Sequence, residues 1–354
     1  MHIFFEKRLY SSGFIRIAIT ICAIIFALLA GGVFLYTIGV NPFSAYSNVC
    51  SQIFTNKWGI EDLLLKMSPL MLTGISVALA AKMRLWNIGA DGQFYMGACA
   101  ATWVALTFGG SGNSLMLLPL MFLAGVTAGA LWIFIPAFFK AHFNVNDIIT
   151  TLLMNYIAIS LVDYFLFGSW RDPNSLNFPI TALFPPAAAL PMIKNINLHI
   201  GFLIGIFIIL LIYFFLEKSR FGIYVNIVGN NPNAAQYSGV NKKRLIILIM
   251  MISGAIAGLA GVIELTGVHH RLQQNISLGY GYTGIIVTWL SRAHPLGVIF
   301  NAFFMAFIFV GGEIMQMSAG IPVAMIYLFQ GIILFSVLGS DVFAEYKLKI
   351  KKTA

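Results

Sequence analysis

Apolar runs of about 20 residues, separated by short polar intervals, recur along the whole 354-residue chain. At 1.5 Å of rise per residue, each run makes a helix able to cross a hydrocarbon core of about 30 Å. The first, Phe14–Thr37, is apolar apart from Arg16. It exceeds the apolar stretch of a signal peptide and lacks a small-x-small cleavage site, so an uncleaved first span is expected. Gly39–Lys66 is a polar interval, with Asn41-Pro42 as a turn and Lys57, Glu61 and Asp62 expected in solvent. Met67–Met83 predicts a second span. A glycine-broken stretch, Asn87–Gln93, then leads into a third span ending at Phe108. Further spans are expected over about Leu115–Phe139, Asp147–Gly168 and, after a proline-rich loop Ser169–His199, up to Leu216. Beyond the polar interval Glu217–Arg244 come Leu245–Thr266, a short apolar piece Tyr282–Ser291, and two spans at about Leu296–Gly312 and Pro322–Leu338. With the short piece taken as a crossing, the pattern predicts an all-α polytopic membrane protein of ten segments.

Composition and charge support that class. Hydrophobic residues make up 59% of the chain and charged residues only 9%, against roughly 25% charged in soluble domains. The net charge of +9 does not call for nucleic acid, because the basic residues sit between spans. In a ten-segment topology with both termini cytoplasmic, five of the 21 Lys and Arg (Lys57, Lys66, Arg171, Lys194, Arg271) fall outside and the others at cytoplasmic ends, as the positive-inside rule requires. Cys22, Cys50 and Cys99 are far apart and form neither a metal cluster nor a disulfide framework.

The halves share a plan. A span precedes the break Asn87–Gln93 (Asn-Ile-Gly-Ala-Asp-Gly-Gln), and a span precedes the break Gly279–Gly284 (Gly-Tyr-Gly-Tyr-Thr-Gly). The first break is expected on the cytoplasmic side and the second on the outer side, which predicts two inverted helical repeats, about 67–168 and 245–338. Between them, the polar interval 217–244 carries a helix signal of its own. Asn231-Pro232 suits a helix start and Gly239 a left-handed stop. About two turns are too few for a free-standing helix, so a docking partner on the cytoplasmic side is expected. Lys218, Arg220, Lys242, Lys243 and Arg244 bracket it.

Catalytic chemistry is absent from the sequence. There is no Gly-Lys dipeptide, hence no phosphate-cradling Walker A loop, and no His-Glu-x-x-His zinc motif. Adjacent His269 and His270 cannot face one metal from a helix and are expected to be solvated. A charge at the bilayer centre costs at least about 2.5–3.5 kcal/mol, so Asp163, Glu264 and Glu313 are expected at interfaces, reaching solvent. Asp91, within the first break, sits among other polar groups. Unpaired backbone groups at a helix break must face a cavity or other protein. Asn87, Asp91 and Gln93 in the first break, and Trp289 after the second, are therefore candidate contacts for a polar solute, through amide and carboxylate hydrogen bonds and indole stacking.

Three stretches carry a resemblance: Leu72-Thr73-Gly74 through Asn87-Ile88-Gly89-Ala90-Asp91-Gly92-Gln93; Gly229–Val240 (Gly-Asn-Asn-Pro-Asn-Ala-Ala-Gln-Tyr-Ser-Gly-Val); and Gly284–Gly297, ending Arg-Ala-His-Pro-Leu-Gly. From about Met67 to Leu338 the chain resembles the permease subunits of bacterial ATP-binding-cassette importers, in the simple-sugar and nucleoside branch of the branched-chain amino acid and ribose group. Asp91 stands where many members carry Glu, a change that keeps the charge and shortens the reach. The resemblance implies a non-enzymatic transport subunit in the bacterial plasma membrane. It pairs with a second permease, a cytoplasmic ATPase that uses the ATP, and an external solute-binding protein; this chain itself binds no cofactor. It further implies that Gly229, Asn230, Asn231, Pro232, Ala234, Ala235 and Gly239 dock on the ATPase as a coupling segment. Nucleosides are the implied solute, with simple sugars such as ribose or galactose as the alternative. An ion-driven secondary transporter would work without the ATPase, and an intramembrane enzyme would need a nucleophile–base pair that the sequence lacks.

Overall fold

The computed structural model describes residues 2–7, 13–111, 114–194, 196–231, 237, 239–322 and 324–351. It is helical, apart from one terminal two-stranded ribbon. Two compact units partition it: Met1–Leu63 with Phe307–Ala354, and Leu64–Ala306.

The first unit contains α1 (Gly13–Thr37), α2 (Pro42–Thr55), the start of α3 (Lys57–Ala81), the end of α11 (Pro295–Ala319) and α12 (Ala324–Glu345). Strand β1 (His2–Lys7) pairs antiparallel with β2 (Tyr346–Lys351), His2 opposite Lys351. The interval expected to be a polar loop is thus mostly helical. Asn41 accepts hydrogen bonds from the Phe43 and Ser44 amides at 3.0 and 3.4 Å. Pro42 fills the first helical position, where its missing N–H is no loss. Helix α2 buries Val49 and Ile53, four residues apart on one face, and its Tyr46 hydroxyl donates to the Leu28 carbonyl at 2.8 Å. Because α3 begins at Lys57 rather than Met67, Glu61 lies one turn on from Lys57. It is buried and 3.5 Å from the Lys57 ammonium, not in solvent.

The second unit holds the rest of α3, then α4 (Ala90–Phe108), α5 (Ser114–Phe143), α6 (Asp147–Phe167), α7 (Gly201–Lys218), α8 (Arg220–Asn230), α9 (Lys242–Glu264), α10 (Tyr280–Leu290) and the start of α11. Among the described residues seven helices are long and apolar enough to cross a membrane, and Ala324–Ser340 is a shorter apolar one. Helix α4 falls outside that set because it opens on Asp91 and Gln93, and α10 because it has only 11 residues. Eleven residues rise about 16 Å, half a hydrocarbon core, so Tyr282–Ser291 is not a full crossing by itself.

Helices α5, α6 and α7 bury less than a third of their apolar windows, whereas α3 and α9 bury most of theirs. Small residues explain the inner position of α9. A Cβ on Gly258 would come within 2.5 Å of the Gly125 carbonyl oxygen in α5. One on Gly97 in α4 would strike the Gly258 backbone, and one on Gly261 the Phe94 carbonyl. Without a hydrophobic drive between helices in lipid, such backbone-to-backbone approach is what holds them together.

The central polar interval is not a plain loop. Its first part is α8, whose Gly222, Val225, Val228 and Gly229 are buried at three- and four-residue spacing. Asn231 ends α8 in an extended conformation, and Gly239 has the expected left-handed backbone (φ +73°). Pro232, Ala234 and Ala235, the heart of the expected coupling helix, lie outside the described residues.

Candidate functional site

The first break begins where α3 ends. Arg84 adopts a left-handed conformation (φ 55°) and the Leu85 amide donates back to the Ala80 carbonyl, which reverses the chain. Residues 85–89 return along α3 to Gly89, the residue before α4, so Asp91 and Gln93 lie in that helix's first turn and not in the break itself. Within it, Asn87 and Gln93 exchange side-chain hydrogen bonds at 2.9 and 2.8 Å. The Asn87 amide also donates to the Ser253 hydroxyl in α9 at 2.8 Å, and Ser253 in turn donates to the Ser76 carbonyl of α3 at 2.7 Å.

The second break is entered differently. After α9 comes a π-helical turn, Leu265–His269, and His270 is left-handed. The loop Ser169–His199 straps the residues after α9. The Thr181 amide donates to the Leu272 carbonyl, Phe184 to His270, and Leu190 to Thr266, each at 2.9 Å. His199 ends the strap fully buried, its ring packed against Gly201 and Gly267. Burial, with His270 nearby, pushes its pKa down to about 4, so the ring is neutral at neutral pH. Neither His269 nor Glu264 is simply solvated. Glu264 is buried, and its carboxylate lies 3.4 Å from the His269 ring. Asp163, also expected to reach solvent, is partly buried and accepts a hydrogen bond from Gln274 at 3.1 Å.

The two breaks, expected on opposite sides, meet. One Asp91 carboxylate oxygen accepts the Ser277 hydroxyl at 2.7 Å and the Gly281 amide at 2.9 Å. Ser277 itself caps α10, accepting the Gly279 and Tyr280 amides at 3.2 and 3.1 Å. Gly279 is left-handed (φ +78°), and Gly281 lies so close that a Cβ would strike the Asp91 backbone. Two helix N-termini, each carrying free N–H groups and a partial positive charge, therefore converge on one buried carboxylate. Asn155 of α6 completes the clamp. Its oxygen accepts the Gly92 amide at 2.8 Å, and its nitrogen donates to the Ile88 carbonyl at 2.8 Å and the Tyr282 hydroxyl at 3.1 Å.

Of the residues expected to face solute, Asn87 and Gln93 are thus brought together and hydrogen-bonded to each other, while Asp91 joins the breaks. Trp289 stands apart from them, eight residues or roughly 12 Å along α10 from Gly281. Its ring lies 5.4 Å from that of Trp86, tilted by 38°. The two border a cavity of about 270 Å³ with Val77, Ala81, Arg84, Leu85 and Thr288. The Trp86 amide donates to the Asp147 carboxylate at 2.6 Å, and that carboxylate is ion-paired with Lys140 at 2.8 Å. Asn155, Ser253, Ser277 and Asp147 carry much of this network and were not singled out from sequence. Asn155 had a signal, being an amide within an apolar span, where an unpartnered polar group is costly.

Helix α8, which precedes the expected coupling segment, is tied to the same place. Gly229 is buried, and a Cβ there would strike the Lys82 carbonyl, so α8 packs on the turn that opens the first break. Lys82 also lies 3.4 Å from Glu217 at the end of α7.

The family described as branched-chain amino acid transport system / permease component matches residues 59–338. The glucose ABC transporter permease protein of Haloferax volcanii is 34% identical over 93% of this chain and 89% of its own. The guanosine ABC transporter permease protein of Bacillus subtilis is 31% identical over 95% and 97%, and the nucleoside ABC transporter permease protein of Lactococcus lactis subsp. cremoris is 31% identical over 90% of each. A solved chain of a metal-chelate type ABC transporter in an inward-facing conformation shares the fold, with TM-score 0.50 and 18% identity over 93% of this chain and 100% of its own. The chain belongs to the permease-component family of branched-chain amino acid-type ABC transport systems.

Proposed function

We propose that this chain forms the membrane passage of an ATP-driven importer for nucleosides, working with a second permease subunit, a cytoplasmic ATPase and an external solute-binding protein. The guanosine and nucleoside permeases among its relatives support the solute class. A simple sugar is the second reading, favoured by the glucose permease. The basic residues of the loops support placing both termini in the cytoplasm of a bacterial cell.

The observation that carries the mechanism is the packing of α8 on Lys82 and Met83. In this reading the exposed Asn230 and the segment Asn231–Gly239 dock on the ATPase, and the buried Gly229 forms the root of that segment at the end of α3. When nucleotide binding moves the ATPase, α8 transmits the displacement to the end of α3. The first break then shifts against the second, with Asp91 as the hinge pin. Unpaired backbone at the breaks faces either the clamp residues or the passage, as the halves rock.

Ala234→Arg or Ala235→Arg is expected to leave ATP hydrolysis in the assembled complex while abolishing uptake, because a long charged side chain holds the short helix off its groove. Hydrolysis and uptake are measured on the same reconstituted complex. Normal coupling in both variants would remove this segment from the ATPase contact.

A further inference from the structure

We infer that the cavity beside Trp86 and Trp289 is a solute station on the passage, and that it takes the flat face of a heteroaromatic ring. This rests on the permease reading above and decides between its two solute classes.

Three observations carry it. The cavity, about 270 Å³, is walled by two half-buried indoles and by Val77, Ala81 and Leu85, which offer no hydrogen-bonding side chains. The polar Thr288 beside it is already used, its hydroxyl lying 2.9 Å from the Gly74 carbonyl and 2.8 Å from that of Gly284. Arg84 is exposed and has no ion-pair partner among the described residues. A sugar carries hydroxyls around its whole rim and would leave several unpaired against such walls. A nucleobase presents an apolar π face to the indoles and keeps its polar edge free for the Arg84 guanidinium or water. The indoles are 5.4 Å apart and tilted, too close to admit a ring between them, so the base lies on their exposed faces.

The site is also fixed in position. Asp147 holds the Trp86 backbone, Lys140 holds Asp147, and the Thr288 hydroxyl bridges α10 to α3. Arg84 and Trp86 follow directly on Lys82 and Met83, against which α8 packs. Movement of α8 therefore reaches this cavity before it reaches the clamp at Asp91.

The test uses the complete importer in proteoliposomes with labelled guanosine, uridine, ribose and glucose. Trp86→Leu and Trp289→Leu are each expected to lower nucleoside uptake at subsaturating solute about tenfold, the scale of one lost base stack. Trp86→Phe and Trp289→Phe, which keep a π face, should stay within about threefold of the parent. Should the Leu variants fail to assemble, tryptophan fluorescence of the unmodified complex provides the second readout. Guanosine should quench it and glucose should not, and Trp289→Phe should lose most of the quenching. Nucleoside uptake within twofold of the parent in assembled Leu variants, or equal quenching by glucose, would overturn the proposal. An unmodified importer that carries sugars and no nucleoside would overturn the nucleoside reading itself, a result visible before any variant is made.

Discussion

Asp91→Ala is expected to reduce uptake to a tenth or less and to lower the yield of assembled permease. The substitution strips the acceptor from the Ser277 hydroxyl and the Gly281 amide, both held within 2.9 Å of one carboxylate oxygen. Each buried donor left unpaired costs about 1–3 kcal/mol. Asp91→Asn keeps a carbonyl oxygen for one or both donors and should recover part of the uptake. Gly281→Ala addresses the same contact from the other side, because its methyl group would meet the Asp91 backbone, and should be as damaging as Asp91→Ala. Uptake and size-exclusion yield in Asp91→Ala within twofold of the parent would show that the breaks are held together by something other than this carboxylate.

The second large effect is structural. Gly258→Leu is expected to abolish assembled protein, because the Gly258 position meets the backbones of Gly125 and Gly129. A leucine there forces α5 and α9 apart along their contact, and overpacking alone typically costs about 1–3 kcal/mol, more where, as here, backbone meets backbone. Gly258→Ala should already lower the yield, since even a single carbon lies within 2.5 Å of the Gly125 carbonyl oxygen. Gly331→Leu is the control: that position in α12 has nothing within 4 Å of an added Cβ, and its yield should not change. Yield is read as the monodisperse fraction after detergent extraction.

Hydropathy located most spans to within a few residues, since a 20-residue apolar run in a chain with 9% charge has few other uses. It failed at α2 because Pro-Phe-Ser-Ala-Tyr-Ser-Asn is too polar to count as a span, although Asn41 and Pro42 together were a helix-start signal. It failed again at α8, where the helix signal in the polar interval begins only at Asn231-Pro232, while the buried spacing of Gly222, Val225 and Gly229 marks an earlier helix. Both breaks were visible as clustered glycines. What filled them was not, because the partners lie far off in sequence: Asn155 is 63 residues from Gly92, and Asp91 is 190 from Gly281. A single sequence carries no signal for such pairings beyond the rule that a polar group inside a membrane must find a partner. That rule pointed to Asp91 and, applied to amides as strictly as to carboxylates, would have pointed to Asn155. It also placed Glu264 at a solvated interface, whereas the π-helical turn after α9 brings His269 round to it. The glycine pairs Gly125/Gly129 and Gly254/Gly258 have the four-residue spacing of close helix packing, but spacing alone does not say which pair faces which.

The most direct measurement is the energy source of transport. The chain is co-reconstituted with the proposed second permease and ATPase, and labelled guanosine uptake from the proposed solute-binding protein is followed with and without ATP inside the vesicles. Uptake that requires both ATP and the ATPase subunit, and is indifferent to ionophores that collapse ion gradients, is the result expected of an importer permease. Uptake that persists without the ATPase and disappears with the ion gradient would contradict it and mark the chain as a secondary transporter.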